Sequence, residues 1–128
     1  MLLDTHVLIW VNEGSPRLSK TANSAIRRAR RNGGLAISAI TLWELAFLFA
    51  KGKVHACGTV ETSVGLLIED ISVRPITAEI AALATEFHSD YPSDPSDRII
   101  GATARAEGLT LITRDEKIRK SPLLKTLW

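Results

Sequence analysis

The chain has 128 residues, a length that fits one domain of ordinary size. Hydrophobic residues make up 45% of it and charged residues 23%, which supports a buried core and excludes a disordered or membrane-embedded class. The formal net charge of +2 permits a nucleic-acid partner without requiring one. Cys57 is the only cysteine, so an internal disulfide is excluded. We expect a single domain over residues 1–128.

The start of the chain and its hydropathy bear on where the protein works. Residues 1–6 lack a basic region and carry an early acid, so they do not resemble a secretory signal peptide. No apolar run approaches the length of a membrane span. We therefore expect a cytoplasmic protein with no membrane association.

Short apolar runs alternate with helical patterns in the first part of the chain. Ser15 followed by Pro16 is typical of a helix cap and a helix-opening proline. Thr41 and Glu44 have the spacing of a capping box ahead of an apolar helix. In chain order, this part is predicted to contain a strand at 1–3, a helix from 7, a helix from 16 to 31, a strand at 35–38 and a helix at 42–50.

The same alternation continues through the rest of the chain. In order, we predict a helix at 60–68, a strand at 71–73, a helix capped by Thr77, a loop at 89–93, a helix from 94 to about 107, a strand at 109–113 and a helical turn at 115–120. Strands that alternate with helices favour an α/β fold with a parallel sheet covered on both faces.

Four acidic residues each lie where a predicted strand gives way to a helix: Asp4, Glu44, Asp97 and Asp115. Parallel sheets gather ligands at the carboxyl ends of their strands, so we expect these acids to converge. Two carboxylates about 4 Å apart repel by roughly 4 kcal/mol at an effective dielectric near 20. A Mg²⁺ or Mn²⁺ ion, which prefers oxygen ligands, would relieve that repulsion. Thr5 and Thr113 add hydroxyl groups beside two of the acids.

Each acid also has an ordinary structural explanation. Asp4, Asp94 and Asp115 are suited to capping a helix, and Glu44 would complete its capping box. Asp97 falls in a first helical turn, where the helix dipole favours negative charge. The capping and metal-binding interpretations are compatible, because helix N-termini help to keep acids ionised as metal ligands must be.

Other chemistries find little support in the sequence. The three histidines show no metal-ligand spacing with one another, and no glycine-rich phosphate loop is present. Trp10 and Trp43 are predicted to pack in the core, and stacking on unpaired bases is the alternative.

Four segments together carry a resemblance to a known family: LLDTHVLIW (2–10), LAIS with TLWE (35–38 and 41–44), DPSDRIIGATA (94–104) and LITRD (111–115). Their order and spacing resemble PIN-domain proteins, and specifically the VapC-type ribonuclease toxins of bacterial toxin–antitoxin pairs. The resemblance implies a three-layer α/β/α sandwich with a small parallel sheet. It also implies a Mg²⁺-dependent endoribonuclease that hydrolyses RNA with a metal-activated water, Mn²⁺ being able to substitute.

The resemblance further implies roles for individual residues and partners. Asp4, Glu44, Asp97 and Asp115 would be the catalytic and metal-binding quartet, with Asp94 an accessory acid. A homodimer and a small VapB-type antitoxin that covers the site are implied as well. The histidine often found just before the Asp-Pro pair is displaced here, so His88 is assigned no role.

Three other functions stay open at this point. The first is a housekeeping PIN nuclease without an antitoxin, and the second is a non-catalytic binding module, which the complete quartet argues against. The third is a receiver-like signalling domain. It would need a second acid after Asp4, where Thr5 stands, and a lysine after the last strand, where Arg114 stands.

The helix over residues 42–50 carries more large apolar residues than one core-facing stripe requires. They are Trp43, Leu45, Phe47, Leu48 and Phe49. We hypothesise that part of this surface forms a groove for an apolar helix of the antitoxin. The alternative is that all five side chains belong to the core.

Overall fold

A computed structural model describes residues 1–128 as one sheet enclosed by helices. The strands are β1 (Leu2–Leu3), β2 (Ala36–Ser38), β3 (Ser72–Arg74), β4 (Leu111–Ile112) and β5 (Thr126–Leu127). The helices are α1 (Thr5–Glu13), α2 (Lys20–Arg31), α3 (Ala39–Ala50), α4 (Val60–Leu67), α5 (Ala78–Ala84), α6 (Pro95–Glu107) and α7 (Glu116–Arg119). No helix is both long enough and apolar enough to cross a bilayer.

The sheet has five parallel strands in the order β3-β2-β1-β4-β5. The first strand is therefore central, and Leu2 aligns with Ala36 on one side and with Leu111 on the other. The chain winds outward in opposite directions from β1, which makes the carboxyl end of β1 and β4 a topological switch point. Ligands of open α/β sheets bind at such points.

The core lies on both faces of this sheet, because successive residues of a strand point to opposite sides. Leu2 packs with residues of α5, α6 and α7, among them Ile80, Ile100 and Ile118. Leu3 packs on the other face with residues of α1, α2 and α3. The predicted three-layer α/β/α sandwich with a small parallel sheet is thus confirmed.

Three helix starts differ from the prediction. The first helix begins at Thr5, two residues before the predicted start at residue 7. The second helix begins at Lys20 and not at Pro16, because the hydroxyl of Ser19 accepts a hydrogen bond from the Ala22 amide at 3.0 Å and supplies the cap. The third helix begins at Ala39, directly after β2, and Ser38 caps it. The predicted capping box is therefore wrong, since its threonine and glutamate already lie inside the helix.

The first turn of α6 is held by a tyrosine from the preceding loop. The Tyr91 ring stacks on Phe87 with centroids 4.0 Å apart, and its hydroxyl donates a hydrogen bond to the Asp97 carbonyl at 2.9 Å. Gly101 permits this approach, because a Cβ there would overlap the tyrosine hydroxyl and lie 2.9 Å from its Cζ atom. The contact fixes the end of α6 that carries Asp94 and Asp97.

Candidate functional site

A cleft of about 340 Å³ opens at the carboxyl edge of the central strands. All five acids singled out in the sequence line it: Asp4, Glu44, Asp94, Asp97 and Asp115. They come from the ends of β1 and β4 and from the N-terminal parts of α3 and α6. The topology thus brings together residues that are up to 111 positions apart in the chain.

Asp4 occupies the cap position of α1, but its side chain makes no capping hydrogen bond. One carboxylate oxygen accepts a hydrogen bond from the Thr113 hydroxyl at 2.8 Å. The residue is only 9% exposed, and this burial raises the pKa of the carboxyl group, with the Thr113 hydrogen bond opposing the rise. Capping therefore does not explain why an acid stands at this position.

Glu44 lies in the second turn of α3 and is held by the other threonine. The Thr5 hydroxyl donates to a Glu44 carboxylate oxygen at 2.6 Å and lies 3.1 Å from the hydroxyl of Thr41. Burial raises the pKa of Glu44, and the negative charge of Asp4 raises it further. Both threonines noted in the sequence thus contact an acid of the cleft.

Asp94 and Asp115 do cap helices, as their positions predicted. Asp94 accepts a hydrogen bond from the Ser96 amide at 3.0 Å, and Asp115 accepts one from the Ile118 amide at 3.0 Å. Each uses one carboxylate oxygen, Oδ1, for this bond and still lines the cleft. Capping is therefore confirmed for these two residues, and it leaves the second carboxylate oxygen of each free of that bond.

Asp97 lies in the cleft with the four other acids, and their charges act on it. Burial raises its pKa to about 7, and the charges of the four other cleft acids add to the rise. The carboxylate has no cationic partner, because the chain's two ion pairs join Arg74 to Glu107 and His88 to Asp90. The cleft thus holds an excess of negative charge that no side chain neutralises by direct pairing.

The donor set suits a hard divalent cation, although no three of these side chains lie close enough to form a complete metal-binding cluster. Mg²⁺ ordinarily binds through one or two carboxylates and keeps several waters, so it does not need such a cluster. The acids of the cleft and the two threonine hydroxyls that contact them supply oxygen ligands, which such a cation prefers. Burial raises the pKa values of Asp4, Glu44 and Asp97, and repulsion among the acids, which a cation would relieve, adds to the rise.

We expect Thr113→Val to weaken both stability and metal binding. The change removes the donor to Asp4 and the acceptor for the Asp115 amide, which lies 3.1 Å from the hydroxyl. Unpaired buried groups of this kind cost about 1–3 kcal/mol. Loss of a partner that orients a metal ligand costs about 10–100-fold in affinity. Urea unfolding and Mg²⁺ titration would measure the two effects, with Thr110→Val outside the cleft as the matched control.

Two substitutions at Asp94 separate its cap from its charge. Asp94→Ala should cost about 1 kcal/mol of unfolding free energy, because the Ser96 amide loses its acceptor. Asp94→Asn keeps a good cap and should leave stability nearly unchanged. If Asp94 is an accessory acid, the Asn variant loses part of the cleavage rate; if it is only a cap, the Asn variant cleaves like the parent.

The sequence interpretation gave no site role to two residues of the cleft and misjudged Trp43, which lies beside Glu44 in a neighbouring pocket. His6 and Arg114 line the cleft, and each directly follows a threonine that contacts an acid. That adjacency was the available signal. Trp43 is 63% exposed, so the prediction that it packs in the core is wrong. Trp10 is partly buried against the ring of Trp128, whose centroid lies 5.9 Å away.

The chain is similar in sequence to one protein family and to a ribonuclease within it. A model of the PIN domain matches residues 1–122. Ribonuclease VapC22 of Mycobacterium tuberculosis is 36% identical over 130 residues, which cover 100% of this chain and 98% of that protein.

Solved structures agree on the fold. VapBC2 from Rickettsia felis, bound to a promoter DNA fragment, gives a TM-score of 0.74 at 18% identity and covers 98% of this chain and 96% of its own. A toxin–antitoxin complex from Klebsiella pneumoniae gives 0.69 at 24% identity, with coverage of 99% and 95%. With the full-length match in sequence, this chain belongs to the PIN-domain family, and within it to the VapC-type proteins.

Proposed function

We propose that this chain is a metal-dependent endoribonuclease and the toxin of a toxin–antitoxin pair. The observation that carries the proposal is the set of four acids, Asp4, Glu44, Asp97 and Asp115, on one cleft at the switch point of the sheet. The relative that matches over the full chain is a ribonuclease, which supports the same activity for this chain. The proposal puts the protein in the cytoplasm, where a toxin of this type meets cellular RNA.

The four acids would hold Mg²⁺, or Mn²⁺ in its place, either directly or through bound waters. When bound, the cation would activate a water and neutralise charge that builds on the phosphate during hydrolysis. Thr5 and Thr113 fix the orientation of two of the carboxylates. Asp97 would be partly protonated near neutral pH without a cation, and an adjacent positive charge would favour its ionised form.

The exposed face of α3 supports an antitoxin partner of the VapB type. Trp43 is 63% exposed and Phe47 44%, and their rings lie 5.9 Å apart beside Glu44. Leu45 and Phe49 are buried, so only part of the predicted apolar surface is free for docking. An antitoxin on this face would lie next to the acids and could pair a basic side chain with them. Like other proteins of this type, the chain would also form a homodimer.

The activity test uses purified chain and end-labelled RNA oligonucleotides of random sequence. We expect endonucleolytic cleavage with Mg²⁺ or Mn²⁺, none with a chelator, and none from Asp97→Asn prepared in parallel. The parallel preparation controls for contaminating nucleases. Folded parent protein that cuts no RNA with either metal would end the proposal.

A second experiment separates a toxin from a housekeeping nuclease. A toxin should be encoded beside a short reading frame for a DNA-binding protein, and that protein should bind the chain and stop cleavage. Hydrogen exchange of residues 42–54 with and without the partner tests the docking face. Inhibition of cleavage without added protection of residues 42–54 would mean that the antitoxin binds elsewhere on the chain. The nuclease assignment would still stand.

A further inference from the structure

One cation lies among the acids of the cleft. Arg114 lines the cleft immediately after Thr113, and its guanidinium carbon lies 5.9 Å from the centre of the Trp10 ring. Arg17 approaches the same ring to 6.0 Å. The edge contact with Trp128 supports Trp10 in turn. The tryptophan thus carries two guanidinium groups at one end of the acidic cleft.

The position of Arg114 is unusual because it forms no ion pair with the acids around it. An arginine near carboxylates ordinarily forms paired, charge-assisted hydrogen bonds with them. Here the chain's ion pairs lie elsewhere and involve Arg74 and His88. Contact with the Trp10 ring gives the guanidinium a different favourable partner. Its N–H groups therefore stay available to a ligand that enters the cleft.

We propose that Arg114, supported by Trp10 and flanked by Arg17, binds the RNA phosphate next to the one that is cut. The inference rests on the proposed ribonuclease function. Five acids repel an incoming polyanion, and a cation bound among them would neutralise charge only at the scissile phosphate. A neighbouring phosphate needs a separate positive group. The fork of an arginine matches two phosphate oxygens at once, whereas a lysine would act as a point charge.

The salt dependence of RNA binding tests this role directly. All variants are made in an Asp97→Asn background, and Kd for a labelled single-stranded RNA is measured across a range of salt concentrations. Each phosphate contact to single-stranded RNA contributes about 0.7 to the slope of log K against log salt. Arg114→Gln should lower the slope by about 0.7 and weaken binding about tenfold or more. Arg114→Lys should keep the slope and bind with intermediate affinity.

Arg119→Gln is the matched control, because this arginine is exposed on α7 and does not line the cleft. It should leave slope and affinity unchanged. In the active background, Arg114→Gln should raise KM while kcat stays near that of the parent, as expected for a binding contact. The melting temperature of each variant shows whether it is folded. If Arg114→Gln does not fold, the intermediate affinity expected of Arg114→Lys tests the proposal in its place.

An unchanged salt slope in Arg114→Gln would overturn the proposal. So would a fall in kcat with Kd unchanged, or a loss of antitoxin binding with RNA binding intact, which would assign the arginine to the protein partner. Failure of this inference is distinct from failure of the function. If the parent cuts RNA and the Arg114 variants bind RNA like the parent, only the proposed phosphate contact is wrong. If the parent cuts no RNA, the nuclease assignment fails.

Discussion

Asp97→Asn is expected to reduce RNA cleavage by at least about a hundredfold and to leave the metal-free protein as stable as the parent, or more stable. Even an outer partner of a metal ligand is typically worth 10–100-fold, so loss of a ligand should cost no less. The stability result follows from burial and repulsion, because burial raises the pKa of this carboxyl group and the charges of four other acids raise it further, so the charged form is disfavoured in the folded state. Parallel measurements of cleavage and urea unfolding would establish both effects.

The stability effect should depend on pH with a definite sign. The pKa of Asp97 is about 7 in the folded chain and about 4 when unfolded, so the folded state holds its proton more tightly. The protonated group favours folding fully below about pH 4, and this contribution is lost as pH rises through about 7. Since the side chain is partly exposed, screening reduces the effect to about 1–2 kcal/mol.

Unfolding in a chelator at pH 4 and pH 8 would test that sign. The parent should lose more stability than Asp97→Asn over this interval, because the Asn variant cannot ionise. The comparison must be between variants, since Asp4 and Glu44 also have raised pKa values and shift stability in the same direction. Asp97→Asn also loses the favourable interaction of the charged carboxylate with the helix dipole, about 0.3–1 kcal/mol. This loss opposes the stability gained by removing the charge, but it is the smaller of the two effects.

Asp90→Asn is the matched control, because this acid is 91% exposed and lies outside the cleft. It should leave cleavage unchanged, and the loss of its exposed contact with His88 should change stability by less than about 1 kcal/mol at either pH. If metal-free Asp97→Asn is several kcal/mol less stable than the parent and still cuts RNA, the residue has a structural role and is no ligand.

The convergence of the acids was predictable from sequence because it depends on topology alone. Any acid placed after a parallel central strand reaches the same edge of the sheet, whatever the details of packing. Asp94 followed by Pro95 likewise fixes the start of α6 locally, and the structure has that helix where it was predicted. These two features depend only on the order of strands and helices and on the residues of a single turn, so they can be predicted from the sequence.

Features that depend on competition or on distant contacts were not predictable. Ser15 and Ser19 are both capable caps by residue type, and the structure has Ser19 in that position. Strand β5 has two residues and is recognisable only through its pairing with β4. The exposure of Trp43 depends on which face of α3 meets the sheet, and an all-apolar helix leaves that face undefined.

Addition of Mg²⁺ is expected to stabilise the protein, most strongly above neutral pH. At a concentration 100-fold above its dissociation constant, a ligand that binds only the folded state adds about 2.7 kcal/mol to the free energy of unfolding. For a domain of this size the melting temperature should rise by roughly 5–15 °C. The rise should be smaller at pH 6 than at pH 8, because metal ligands must be deprotonated and the pKa of Asp97 is about 7.

Thermal unfolding with Mg²⁺ or with NaCl of equal ionic strength separates binding from general screening. Asp97→Asn should lose most of the increment, whereas Asp90→Asn should retain it in full. Mn²⁺ should act like Mg²⁺, since both accept an all-oxygen ligand set. Equal increments in the parent and in Asp97→Asn would mean that the cation binds elsewhere. The acids of the cleft would then have no bound cation to offset their mutual repulsion. The proposal that they form a metal site, which their shared cleft and raised pKa values support, would be wrong.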